Sequence, residues 1–348
     1  MNPKAKKFLS NFFFGLFSND HAIEGSKSNP WWVGLIILVL GVFLPVIPLT
    51  VNAANSYGAS FLTSYTYRYD QNIADLTTKL LLDNKEFKVN DNHELQYFVD
   101  GEVAHPTVEA DVTPVAAHIN ATTNQYELVI YFTEREGLDL DALKTSITDT
   151  HYKSGSTSVA VEGDTAYAPS YVILYKNGIY TKLMKENSTE AGSNTSTTYA
   201  TDWKHFDVGH ELLKNTLPEG KTAAQVDLNS SKDVQEIFAN WKEVYNKAYL
   251  SQKTYNTWFT TLLFYGIYLA LAIFMGLLVF LLTRGKNNMF NYLKFWDCQK
   301  IVWWASLCPA ILAMIVGFIF SNFAQMIFII LFGLRIMWIS MKQLRPQY

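Results

Sequence analysis

Thr257–Thr283 reads TWFTTLLFYGIYLALAIFMGLLVFLLT, without one Asp, Glu, Lys, Arg or His. A helix needs ~20 apolar residues to cross the ~30 Å hydrocarbon core of a bilayer, so this stretch predicts a membrane span. Three more follow the same rule: Trp31–Ala53 (WWVGLIILVLGVFLPVIPLTVNA), Ile301–Phe320 and Phe323–Met341. Inside lipid every backbone N–H and C=O needs an internal partner, so segments of this length and apolarity read as helices. Ser321 and Asn322 alone separate the last two, which predicts a tight antiparallel hairpin.

A polar block of 203 residues, Ala54–Asn256, lies between the first span and the other three. The block holds 17 Lys/Arg against 28 Asp/Glu, net −11; the remainder holds 11 against 3, net +8. Cationic residues gather in three flanks: Lys4, Lys6, Lys7 and Lys27 before the first span, Arg284, Lys286, Lys294 and Lys300 between the second and third, and Lys342 and Arg345 after the fourth. Lys/Arg-rich flanks stay cytoplasmic, and all three share a side only when four spans are counted. The expected layout is a cytoplasmic segment 1–30, spans 31–53, 257–283, 301–320 and 323–341, a cytoplasmic loop 284–300, a cytoplasmic tail 342–348 and an exported block 54–256. Trp31, Trp32, Trp258, Trp303, Trp304 and Trp338 are expected at the membrane interfaces, which amphipathic rings favour. A rival reading makes Met1–Ala53 a cleaved secretory signal ending at Val51-Asn52-Ala53, but its apolar run exceeds the ~7–15 residues such signals use. Both cysteines, Cys298 and Cys308, lie outside the block, so the exported part has no disulfide; small secreted domains of oxidising compartments often depend on them. That favours a bacterial cell membrane. Asn-x-Ser/Thr triplets at Asn120, Asn187, Asn194 and Asn229 arise readily in a chain this rich in Ser, Thr and Asn.

Within the block, Val234, Ile237, Phe238, Trp241, Val244, Tyr245, Ala248 and Tyr249 recur at helical spacing. Ser230 with Asp233 suggests a capping-box start, and no Gly or Pro interrupts the chain from Ser230 to Tyr265. One unbroken helix Ser230–Thr283 is therefore expected, pairing with a weaker stripe at Ile73, Leu76 and Leu80 as a stalk. Glu86–Val89, Leu95–Val99, Tyr126–Thr133 and Ser170–Tyr175 read as strands. Asn177-Gly178 is the hairpin signal that stands out, Asp139–Ser146 and Val208–Asn215 suggest short helices, and Asn187–Thr201 suggests an exposed loop. The fold class expected is a multi-pass α-helical membrane protein with an extracytoplasmic α+β domain on a helical stalk. Before the first span, Phe8–Phe17 is aromatic and follows three lysines, which suits a helix lying in the headgroup plane or packed under the bundle.

Motifs for chemistry are sparse. His205-x-Asp207-x-x-His210-Glu211 is the only local cluster of zinc-ligand types, and no further ligand accompanies it. Asp91-Asn92-His93-Glu94 and Asp139-Leu140-Asp141 lack the central Gly and closing Glu of a calcium loop. No nucleophile elbow, phosphate loop or H-E-x-x-H occurs, so catalytic, cofactor and metal residues are assigned to none, and the chain is read as no enzyme. The net −11 opposes binding to nucleic acid, which requires cationic surface. Spans one to three hold no Asp, Glu, Lys, Arg or His, unlike ion-coupled transporters. Arg335, about two-thirds along the fourth span, is the exception. The hairpin sets it opposite Cys308 and Pro309, where proline frees a backbone carbonyl. Arg335 is the candidate intramembrane functional residue, holding the hairpin or binding an anionic lipid or partner; the alternative is snorkelling to the headgroups.

The Phe-rich start, the single span before an exported domain, and the run Tyr292–Ala310 (YLKFWDCQKIVWWASLCPA) resemble domain-of-unknown-function family 1189, which includes MalA-like maltodextrin utilisation membrane proteins. Glu86-Phe87-Lys88-Val89, Leu128–Phe132 and Tyr171–Gly178 resemble that family's successive strands. The resemblance implies an integral membrane accessory protein of Gram-positive-type bacteria, sometimes associated with maltodextrin uptake, and supplies no catalytic residues to carry over. Its expected partners are membrane lipid and a membrane or envelope protein such as a transporter. The alternative is an extracytoplasmic ligand sensor that signals through a separate protein.

Overall fold

The computed structural model describes residues 10, 12–60, 62, 68–105, 113–120, 125–134, 170–183, 196–197, 202–285 and 288–344. The chain divides into two units, Met1–Asn55 with Tyr255–Tyr348, and Ser56–Thr254. Among the described residues, four helices are long and apolar enough to cross a membrane: Trp31–Ala54, Leu250–Thr283, Phe295–Ile319 and Ala324–Gln343.

In the first unit, a helical segment 12–17 precedes α1 (Asn19–Ser28), α2 (Trp31–Phe43) and α3 (Ile47–Ala54). The α2–α3 junction tightens to a 3-10 turn at Leu44–Val46. Pro45 and Pro48 cause it: each sits at the start of its segment, where a missing N–H costs least. The third apolar helix, α7 (Phe295–Ile319), is the hub. Some 61% of its apolar window is buried, against 28% for α6 (Leu250–Thr283) and 33% for the fourth apolar helix. Small residues make that possible, because association in lipid depends on close packing. Ala305, Ser306, Ala310 and Ala313 are buried, and a Cβ added to Gly41 of α2 would run into Ser306 Oγ. By contrast Leu262, Phe274, Leu281 and Leu282 of α6 face outward, an apolar exposure suited to lipid. Thr50 and Thr261 join the first and second spans through a 2.8 Å hydroxyl contact. Trp31, Trp32, Trp258 and Trp338 are exposed, whereas Trp303 and Trp304 are buried against the bundle.

The second unit is α+β. Helices α4 (Tyr69–Leu82) and α5 (Ser231–Ala248) lie with a three-stranded antiparallel meander, β1 (Lys85–Val89), β2 (Leu95–Val99) and β3 (Glu102–Val103). A five-stranded sheet completes it: β4 (Thr113–Asn120), β5 (Gln125–Thr133), β6 (Ser170–Tyr175), β7 (Gly178–Lys182) and β8 (Ser196–Thr197), paired in sequence order. Only β5 and β6 run parallel. Strand β6, SYVILY, is buried at every position, which accounts for its continuous apolar run. Its Val172 and Leu174 join the helix core with Ile73, Leu76, Ile237 and Trp241, while Tyr171 and Ile173 enter a second cluster with Tyr131 and Tyr180. Each large side chain so buried contributes about 1.5–3 kcal/mol.

Four expectations need correction. The paired helices are a layer of this unit's core and not a separate stalk, because their apolar stripes require the sheet to cover them. The helix from Ser230 is interrupted at Tyr249: the Ala248 carbonyl accepts a bond from the Asp202 N–H at 3.4 Å, drawing it from the helical ladder. Ser230 makes no side-chain cap; Asp233 instead accepts Lys221 Nζ at 2.7 and 2.6 Å and the Asp227 N–H at 3.0 Å. Val208–Asn215 is not one helix: residues 208–213 are turn and bridge, and Lys214 and Asn215 open a 3-10 turn, Lys214–Thr216. Two hairpin details also differ. Tyr175 pairs with Gly178, so the loop is Lys176-Asn177, one residue earlier than expected. The Lys176 backbone is held on both sides, its N–H donating to Thr133 O and its carbonyl accepting from Leu95 N–H. The left-handed two-residue turn falls at Asp100-Gly101 (φ 50° and 85°), between the paired residues Val99 and Glu102, as a twisted hairpin requires. Of Asn187–Thr201, Ser196 and Thr197 are described and form an edge strand; Asp139–Ser146 lies outside the described residues.

Candidate functional site

Arg335 sits on α8 (Ala324–Trp338), which continues into a π-turn at Ile339–Gln343. Pro309 interrupts the N–H ladder of α7, removing the donor that the Ala305 carbonyl would otherwise accept. Arg335 Nη1 donates to that carbonyl at 3.1 Å. Its Nε donates to Asn19 Oδ1 at 3.0 Å, and Nη2 donates to the Gly15 carbonyl. One guanidinium thus joins the fourth span, the third span and the N-terminal segment. Two contacts extend the joint: Gln343 Nε2 donates to Asp20 Oδ1 at 3.0 Å, and the Gly25 backbone lies against the Trp304 ring. Phe12 packs with Ala22, Val33, Ile37 and Trp304, whereas Phe13, Phe14 and Phe17 are exposed. The segment therefore both packs on the bundle and presents an aromatic face; Phe8 and Leu9 lie outside the described residues.

The basic flanks meet at this end. Arg284 Nη2 donates to the Leu293 carbonyl at 3.1 Å, and Ser26 and Lys27 share a cavity with Leu293 and Lys300. Gln299, 1% exposed, donates to the Ile273 carbonyl at 2.9 Å, and its Oε1 has no protein partner among the described residues.

In the α+β unit the sequence-predicted ligand cluster comes apart. His205 Nε2 lies 3.0 Å from Ser251 Oγ, which itself donates to Asp202. His210 faces Asn215 and the Phe206 ring. Burial holds its imidazole pKa below the ordinary value, with Lys247 adding to the effect. Glu211 pairs with Lys214 and Lys88, each at 2.8 Å, and those cations hold its carboxyl below the usual range, Lys214 foremost. Among the described residues no group of three His, Cys, Asp or Glu is placed to hold a metal. The 91–94 stretch is a turn tied by Asn90 Oδ1, which accepts the Asn92 and Glu94 N–H groups; Glu94 pairs with Lys176 at 3.2 Å. Asp139–Asp141 lies outside the described residues.

No motif marks the pairing of residues 209–214 with β1. Val89 exchanges bonds with Gly209 and His210, and Leu212 N–H donates to Phe87 O. Glu86 then accepts the Leu213 and Lys214 N–H groups at 2.7 and 2.9 Å, along with that of Phe87. Burial pushes its pKa up against those bonds. Through these bonds Glu86 secures the turn at Lys214–Thr216. Beside it a cleft of 440 Å³ is lined by Lys85, Lys88, Phe98, Asp100, Glu211 and Lys214 among others. No short motif signals this site, since its charged groups come from two distant segments that meet only through the bridge. No family model, curated protein or solved structure matches the chain.

Proposed function

We propose that the chain is a bacterial cell-membrane anchor that carries residues 54–256 outside the cytoplasm, acting as a non-enzymatic accessory or scaffold for an envelope protein such as a transporter. The observation that carries this reading is Arg335. The single cation within the predicted spans is hydrogen-bonded to the chain's own Ala305, Gly15 and Asn19. Its bonds serve to assemble the anchor, whereas a transport pathway needs ionisable groups presented to a substrate. Lys27, Arg284 and Lys300 belong to elements joined at one end of the four-helix unit, which supports a cytoplasmic basic end under the positive-inside rule. The likeness to family 1189 points the same way and adds maltodextrin uptake as the first context to test.

Crosslinking in intact cells, followed by affinity capture of the full chain and mass spectrometry, tests the proposal. A membrane or envelope protein enriched over a control membrane protein is expected; none enriched refutes it. The sensor reading draws on the 440 Å³ cleft, which falls in the ~300–1,000 Å³ range of small-molecule sites. A maltodextrin that raises the melting temperature of the full chain, with the shift abolished by Lys88→Ala, favours sensing over scaffolding.

A further inference from the structure

We infer that the four-helix unit binds the phosphodiester headgroup of one anionic phospholipid in the cavity between α1 and the start of α7. It rests on the membrane reading of the four helices. The cavity measures 260 Å³ and is lined by Ser26, Lys27, Tyr292, Leu293, Asp297, Lys300 and Ile301. That is below the ~300–1,000 Å³ of drug-sized sites and suits a compact group such as glycerol phosphate.

The chemistry of the lining selects the charge of the occupant. Lys27 comes from α1 and Lys300 from α7, and neither has an ion-pair partner among the described residues. Asp297 is committed within the lining, its Oδ2 accepting the Lys294 N–H at 3.1 Å. Ser26 is also committed, donating to the Ile23 carbonyl at 2.7 Å. Two cations against one carboxylate leave a net charge of +1, matching a phosphodiester's single negative charge. The exposed Tyr292 ring stands at the rim, with a phenolic O–H able to donate to a phosphate oxygen.

The position selects a lipid. Trp304, packed under Gly25, and Ile301 place the cavity at the first turns of a membrane-length helix, where basic pockets between helices meet headgroups. Exposed Phe13, Phe14, Phe17 and Trp296 belong to the same N-terminal segment and the same end of α7, as expected of an interfacial surface.

The test is native mass spectrometry of the full chain in detergent, titrated separately with phosphatidylglycerol, phosphatidylcholine and inorganic phosphate. One phosphatidylglycerol is expected to bind in preference to phosphatidylcholine. Lys27→Gln with Lys300→Gln weakens that binding roughly thirtyfold, and exposed Lys27→Gln alone about fivefold, from the usual contribution of a lysine near an anionic surface. Lys342→Gln, outside the cavity, leaves it unchanged. Equal binding by the double variant and the parent overturns the site, as does equal weakening by Lys342→Gln, which marks diffuse surface charge. Displacement of the lipid by millimolar inorganic phosphate reassigns the cavity to a soluble phosphate and overturns the lipid occupant. Carbonate extraction of the parent without detergent separates the two levels: release into the supernatant refutes the membrane reading itself, whatever the lipid result.

Discussion

Replacing Arg335 with leucine sets two opposing free energies against each other. A cation at the centre of a span costs about 2.5–3.5 kcal/mol by insertion scales, and leucine relieves that cost. Against it, three hydrogen bonds are lost, each worth about 0.6–1.7 kcal/mol between elements in a membrane. The sums nearly cancel, so global stability changes little. The local effect does not cancel, because two of the three bonds hold the N-terminal segment through Gly15 and Asn19. Their loss removes about 1–3 kcal/mol of docking free energy, a five- to 150-fold change in the docked-to-free ratio. Hydrogen exchange of the full chain in detergent, read by mass spectrometry over residues 12–28, is therefore expected to quicken by that factor while α7 remains protected. Pro309→Ala sharpens the test by returning an N–H to the Ala305 carbonyl. In that background Arg335→Leu no longer strands a buried acceptor, a difference of about 1–3 kcal/mol measurable as a double-mutant coupling. Exchange over residues 12–28 within twofold of the parent, together with zero coupling, refutes the role assigned to Arg335.

Glu86→Ala leaves the buried Leu213 N–H and the part-buried Lys214 N–H without their acceptor and is expected to destabilise the α+β unit by about 1–3 kcal/mol, read as a lower melting temperature of the full chain. Gly41→Val drives a side chain into Ser306; overpacking of this kind costs about 1–3 kcal/mol, and lower detergent resistance of the folded chain is the measurement. His210 has a lowered pKa in the fold, so the unfolded chain binds the proton more readily. Its contribution to stability is present above about pH 6.5 and is lost as pH falls through the lower folded value. Melting at pH 7.5 and 5.5 should therefore differ less in His210→Gln than in the parent. Glu86, with a raised pKa, acts with the opposite sign and is common to both chains.

Where one physical signal dominates, the sequence is readable. Apolar length outlines four helices because the bilayer core allows few alternatives, and strand residues such as SYVILY announce themselves by β-propensity. Counting outward from Ser321-Asn322 places Arg335 beside the region of Pro309, and the Ala305 carbonyl is the one proline frees. Its remaining partners were not legible: Gly15 and Asn19 lie more than 300 residues away, in a segment whose aromatic composition suits either lipid or bundle. The parallel pairing of β5 with β6 carries no periodic mark that distinguishes it from an antiparallel one. The Glu86 site escaped notice because Lys88 and Glu211 lie far apart in sequence and meet only through backbone pairing. The burial of Trp303 and Trp304 was not legible either, because a place near a span end does not reveal that α7 is the buried hub.

The proposed sidedness puts the basic end of the four-helix unit in the cytoplasm and the α+β unit outside. Cysteine labelling tests it most directly. In a Cys298→Ser, Cys308→Ser background, Val208→Cys and Lys342→Cys are each placed at an exposed side chain and treated in intact cells with a membrane-impermeant maleimide. Labelling of Val208→Cys in intact cells, and of Lys342→Cys only after permeabilisation, is the predicted result; the reverse pattern, or both labelled from outside, contradicts it.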